Sequence, residues 1–355
     1  KSQIRNRSQI RNPQSQIVLP FINNILSHRS VSIVGLEKNT GKTETLNYVL
    51  SRLKTMGTQI ALTSIGVDGE QTDSVTQTPK PEIVIPKGMI FVTSETHYAQ
   101  KKLVSEILDV SEKRTALGRL ITARALSEGK VILSGPAETA GVRKLIDKMK
   151  QFSVQTTVVD GALSRLSLAS PAVTDAMILA TGAALSANIP QLVRETAFVK
   201  RLIELPQIEA ALAEKLQMLN QGLWAIDANG KVHDLEIPSV FLFDKRETDI
   251  FRFGTRIFVS GAISDKILSF LRRQNKKVEL IVSDFTKIFV TQKEFGAFLR
   301  SGNSLKTVLR SRLIAVTINP VAPNGFVLDS ETLQQEMEKA LDVSVYDVKK
   351  IAVGC

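Results

Sequence analysis

A run of small and β-branched residues, Ser30 to Gly35, leads into a polar loop closed by Gly41-Lys42-Thr43, and an amphipathic stretch follows at once. That succession constrains the fold more than any other feature of the chain. The run SVSIVG reads as a buried strand because of its β-branched content. After the loop, Leu46, Val49, Leu50 and Leu53 recur at helical spacing, and Gly57 stands where a helix commonly ends in a left-handed residue. A strand, a glycine-bounded loop and a helix in that order bring backbone N–H groups and a helix N-terminus to the end of a sheet strand. Phosphate groups bind in that setting.

The alternation continues. Further strands are expected at Gln59 to Gly66, Met89 to Thr93, Lys130 to Ser134, Thr156 to Asp160 and Ala176 to Thr181. Helices are expected at about His97 to Asp109 and at Glu138 to Phe152, and Gln191 to Asn220 reads as helix interrupted near Pro206. Beyond Gln221-Gly222 the texture changes to short strands and turns. Strands are expected there at Thr255 to Val259, Lys277 to Ser283 and Leu313 to Ile318, with helices at Ser264 to Arg273 and Gln292 to Leu299. Ser264 and Ser330 read as N-caps. The pattern predicts an α/β fold: a mainly parallel-sheet P-loop NTPase domain over 18–220 and a second, smaller α/β domain over 221–355. Residues 1–17, with the repeated Ser-Gln-Ile-Arg-Asn, read as a flexible basic tail.

Bulk properties agree. A chain of 355 residues exceeds what one hydrophobic core usually serves. Aromatics make up only 5%, so the cores must rest on aliphatic residues, as parallel sheets do. Cys355 is the only cysteine, which excludes an intramolecular disulfide and a cysteine metal cluster. His28, His97 and His233 share no ligand spacing. No stretch approaches the roughly 20 apolar residues of a membrane span, and no apolar leader opens the chain, so a cytoplasmic protein is expected. The net charge is +11, of which the tail holds four units. Elsewhere Lys and Arg are interleaved with Asp and Glu, so the excess reads as a solvated surface and nucleic acid is not expected as a partner.

Each loop residue has a part in the phosphate reading. Gly35, Asn39, Thr40, Gly41, Lys42, Thr43 and Glu44 form the nucleotide-binding segment. Gly41 lets the backbone approach closely, Lys42 supplies charge to the β- and γ-phosphates, and Thr43 offers a hydroxyl to Mg²⁺. The loop holds five residues between its glycines, where the common pattern G-x-x-x-x-G-K-[ST] holds four. Lys42 and Asp160 are the candidate catalytic residues; Asp160, ending the strand Thr156 to Asp160, would hold Mg²⁺ directly or through water. Asp68 in Gly66-Val-Asp-Gly69 occupies the same topological position, and both could reach the metal. Glu70 and Asp73 are weaker candidates. Two glycine-rich strand ends, Ser134 to Ala137 and Ala180 to Ala183, border the same cleft or are plain turns.

The five-residue loop resembles that of dethiobiotin synthetase and its relatives. As a set, Ser32-Ile-Val-Gly35 with Lys38 to Thr43, Thr63 to Glu70, Val159 to Ala162 with Ser167 to Ser170, and Ile178 to Gly182 resembles one family. It is similar to the P-loop subunit of the proposed reactivase for lysine 5,6-aminomutase, over roughly residues 28–205. The resemblance implies an ATP- and Mg²⁺-dependent helper of an adenosylcobalamin-dependent aminomutase, working with a second, MutS-like ATPase subunit. It implies a nucleotide switch, in which the γ-phosphate orders the loop around Asp68 to Asp73. Two other readings stand beside it: a dethiobiotin synthetase-like ligase or kinase acting on a small molecule, and a scaffold that binds nucleotide weakly.

Overall fold

The computed structural model describes residues 21–66, 83–162, 170–240 and 250–353. Helix α1 (Ile22–Leu26) precedes β1 (Ser30–Gly35), every residue of which is buried. Burial on both faces is why this strand is a continuous apolar and small-residue run, not an alternating one. Helix α2 (Lys42–Leu53) buries Leu46, Val49, Leu50 and Leu53, each such side chain contributing about 1.5–3 kcal/mol. The chain continues through β2 (Ile60–Ser64), β3 (Ile83–Ile85) and β4 (Ile90–Ser94) to the short α3 (Glu95–Ala99).

The expected helix from His97 to Asp109 is not formed. Helix α3 stops at Ala99, and β5 (Ser105–Thr115) makes a hairpin with β6 (Gly118–Ala125). Because β5 is the outermost strand, it carries Glu106, Glu112 and Lys113 in the open, and Leu103 and Val104 just before it stand at helical spacing from Ile107 and Leu108 within it. The expected strand at Lys130 to Ser134 is also shorter. Strand β7 (Gly129–Val131) pairs antiparallel with β3 in a small separate sheet. Then come α4 (Thr139–Lys148), β8 (Thr156–Ala162), β9 (Ala176–Gly182), α5 (Ile189–Ile203) and α6 (Ala210–Gln217).

A second sheet follows, from β10 (Leu223–Ile226), β11 (Val232–Ile237) and β12 (Arg256–Val259). Strand β13 (Ile263–Ser264) and helix α7 (Asp265–Arg273) lead to β14 (Glu279–Val282) and β15 (Ile288–Phe289), then to α8 (Gln292–Arg300) and β16 (Ser304–Thr307). The chain ends with β17 (Arg312–Asn319), α9 (Ser330–Leu341), β18 (Val345–Asp347) and α10 (Val348–Val353). Asp329, not Ser330, is the N-cap of α9: its carboxylate accepts from the Thr332 N–H, and the Ser330 hydroxyl turns to Asp347.

Among the described residues the large sheet has nine strands, in the order β18-β17-β9-β1-β8-β2-β4-β6-β5. From β18 to β4 all pairs are parallel; β6 and β5 are antiparallel additions. The fold is therefore mixed α/β on a large, mostly parallel sheet. The second sheet runs β11-β10-β12-β14-β16, with β12, β14 and β16 parallel. The chain crosses to this sheet after α6, near the expected boundary at 220, but β17 and β18 return to the first sheet. One apolar cluster spans both, from Leu179 and Val316 to Ala225, Phe295 and Phe298. Phe198 of α5 meets Phe295 of α8 edge-on at 5.7 Å, tying the layers together.

Candidate functional site

In a mostly parallel sheet, loops at the carboxyl ends of the central strands share one crevice. Strand β1 lies between β8 and β9, and its loop opens at that crevice. The register pairs Ile33 of β1 with Asp160 of β8, and Asp160 in turn with Ser64 of β2. The loop is anchored at its start by the Leu36 N–H, which donates to Ala180 O of β9 at 2.9 Å.

Inside the loop the chain folds tightly over Gly35. The Thr40 hydroxyl donates to Glu37 O at 2.8 Å. A Cβ on Gly35 would stand 2.8 Å from Thr40 Oγ1 and 3.2 Å from Glu37 O, so the turn closes only over glycine. Asn39 (φ 62) and Gly41 (φ 95) are both left-handed, as in loops that gather N–H groups into an anion-binding concavity. Gly41 is the N-cap of α2 and offers no side chain to the first-turn N–H groups. Those donors are left for solvent or a ligand.

Lys42 opens α2 and reaches back across the strand ends. Its Nζ stands 2.8 Å from Asp160 Oδ1, and both side chains are half-buried, at 27% and 17% exposure. The contact is a charge pair and not an aligned hydrogen bond, for Oδ1 is buried and meets no hydrogen-bond geometry. The Ser64 hydroxyl donates to the Asp160 backbone carbonyl at 3.3 Å and fixes the strand end. Thr43 is half-buried in the first turn of α2, beside Lys42. The fold thus brings Gly35, Asn39, Thr40, Gly41, Lys42, Thr43 and Asp160 together. Glu44 instead faces α10, its Oε1 3.6 Å from Lys349 Nζ. Asp68, Glu70 and Asp73 lie outside the described residues. Among the described residues no group of three or more His, Cys, Asp and Glu is placed to hold a metal.

One wall of the site escaped the sequence reading. Asn319, the last residue of β17, donates from Nδ2 to Asn39 O at 3.3 Å. Its Cβ stands 2.7 Å from where a Cβ on Gly41 would be, and its carbonyl 2.2 Å from one on Gly182. Thr317 of the same strand shares a 2.7 Å hydrogen bond with Thr45 of α2, buried on both sides. The only signal in sequence is an Asn-Pro pair ending a buried strand, about 280 residues from the loop it contacts.

The glycine-rich segment at Ser134 also borders this end of the sheet. Strands β2 and β4 pair only at Ala61–Ile90 and Leu62–Phe91. Beyond that they part, and residues 132–136 enter between them. The Ser134 N–H donates to Val92 O at 3.3 Å, and the Gly66 N–H to Pro136 O at 2.9 Å. Ser134 Oγ is 2.8 Å from His97 Nδ1, and both residues are buried. His97 is thus a packed core residue. Among the described residues no helix is long and apolar enough to cross a membrane. Compared with known proteins, the chain matches no family model, no curated protein and no solved structure.

Proposed function

We propose that this chain binds ATP with Mg²⁺ at the Gly35–Thr43 loop and hydrolyses it slowly, in the cytoplasm, as a helper of another protein. The observation that carries the reading is the Lys42–Asp160 pair at the N-terminus of α2, whose first-turn N–H groups receive no side-chain cap. A lysine held by a carboxylate at a helix N-terminus is a cation kept in place for an anion. Lys42 would hold the β- and γ-phosphates, and Thr43 and Asp160 would hold Mg²⁺, with Asp68 as a further candidate. Two protein oxygens suit that ion, which keeps several of its own waters. Bound there, it would neutralise phosphate charge. On the sequence resemblance, the protein served is an adenosylcobalamin-dependent aminomutase, and the MutS-like ATPase is the second subunit.

The Asp160→Asn variant tests the site. Mg²⁺-dependent phosphate release should fall roughly 10- to 100-fold, while ATP binding without Mg²⁺ stays within about threefold, because the amide keeps the shape and loses the charge. Unchanged hydrolysis would remove Asp160 from the metal site. A rise in hydrolysis on adding the aminomutase supports the helper role; turnover with a small acid or amine alone would support the ligase reading instead.

A further inference from the structure

The basic excess of the chain is not spread evenly once the fold is considered. Residues 250–312 hold thirteen Lys and Arg against four Asp and Glu, a net +9 of the total +11. With the tail set aside, the rest of the chain is slightly acidic. The four acids of this segment are engaged. Glu279 sits between Arg256 (2.7 Å) and Lys306 (2.6 Å), and Glu294 faces Arg272 at 3.6 Å. Asp284 is buried, accepting from Ser170 and Thr286, and Asp265 accepts from the Thr291 N–H. Among the described residues, two neighbouring acids at this end are also engaged: Glu209 is paired with Arg256 at 2.9 Å, and Asp227 with His233 at 2.8 Å.

Topology gathers the cations. Arg252, Lys276 with Lys277, and Arg300 lie just before the parallel neighbours β12, β14 and β16, so all stand at the amino-terminal end of the second sheet. Arg272 and Arg273 close α7 at the same end, and all six side chains are exposed. Neighbouring strands are about 4.8 Å apart, so these segments form a row. Offsetting helix dipoles accounts for Arg272, Arg273 and Arg300 in last turns, but not for the three outside helices. We propose that this end of the five-stranded sheet binds the phosphodiester backbone of a nucleic acid without reading its sequence. Arginine forks and lysine charges suit closely spaced phosphates. Arg252 lies over the Phe253 ring at 5.1 Å and Lys276 over Phe251 at 4.6 Å, which orients both chains and covers ring faces that bases would otherwise stack on. Among the described residues the exposed large apolar side chains, such as Val104, Ile107 and Phe289, lie elsewhere and give a lipid surface no apolar foothold at this end.

The test is fluorescence anisotropy of the full chain with labelled 20-nucleotide oligo(dT), oligo(U) and a duplex, between 50 and 200 mM salt. Six phosphate contacts on a single strand predict a log–log slope of about −4, a loss of roughly 250-fold over that range. Lys276→Glu with Lys277→Glu should weaken binding at least tenfold. Lys266→Glu with Lys293→Glu, the same charge change at the opposite end, should leave it within threefold. Lys276→Gln with Lys277→Gln, a milder pair for folding, should flatten the slope by about 1.4. Equal losses in the two glutamate pairs would reduce the effect to net charge, and unchanged affinity in the first pair would assign it to the tail. Either result overturns the proposal, as does binding to vesicles of anionic lipid without binding to any oligonucleotide.

Discussion

Replacing Lys42 with alanine is expected to weaken ATP binding at least 100-fold, measured by calorimetry or by displacement of a fluorescent nucleotide. Two electrostatic effects act in the same direction. The first is loss of the cation nearest the loop. Two unit charges 4 Å apart interact by about 4 kcal/mol at an effective dielectric constant near 20, and a hundredfold change in affinity is only about 2.7 kcal/mol. The second effect comes from Asp160. Its carboxylate is balanced by Lys42 at 2.8 Å; without the lysine it is an uncompensated negative charge facing the incoming phosphates. The Lys42→Ala, Asp160→Asn double variant should therefore bind ATP about tenfold better than the single Lys42→Ala variant, a coupling that a double-mutant cycle isolates. Stability should change by less than about 1 kcal/mol, since the pair is partly open to water. Wild-type affinity in the single variant would sink the phosphate-loop reading.

The parts of this site legible in sequence are those whose physics is local. A buried strand, a glycine turn and a helix N-terminus leave their pattern within 30 residues, and Asp160 is marked by the apolar run that ends in it. Asn319 left almost no pattern, because its role arises from β17 being inserted beside β9 after a long excursion through the second sheet. The same excursion limits any division of the chain at residue 220, for the last strands of the first sheet come after the second. Strand β5 was misread because an outer strand meets solvent on its unpaired edge and keeps its charges. The row of cations at the end of the second sheet is hidden in the sequence for a related reason. Along the sequence, Arg252, Lys277 and Arg300 are separated by apolar strands and helices. Only the parallel pairing of β12, β14 and β16 sets them side by side.

Gly135→Ala is expected to destabilise the fold by about 3 kcal/mol, at the upper end for overpacking, because what must yield is backbone. A Cβ there would stand 1.7 Å from Ser64 O and 3.0 Å from Thr63 Oγ1. The segment cannot slide away without loss, since the Gly135 N–H donates to Gly66 O and the Gly66 N–H donates to Pro136 O. Thr93 Oγ1 holds the other side, donating to Ile132 O at 2.6 Å. Relief therefore means either breaking this clamp or moving the end of β2. Moving β2 reaches the site, for Ser64 is the register partner of Asp160 and hydrogen-bonds its carbonyl. Urea unfolding should show a lower midpoint with an unchanged slope, and the folded fraction should hydrolyse ATP more slowly. Gly261→Ala is the matched control: nothing lies within 4 Å of its Cβ, so its effect should stay within about 0.5 kcal/mol. If the two variants unfold at the same urea concentration, residues 132–136 do not wedge the strand ends apart as the contacts here require.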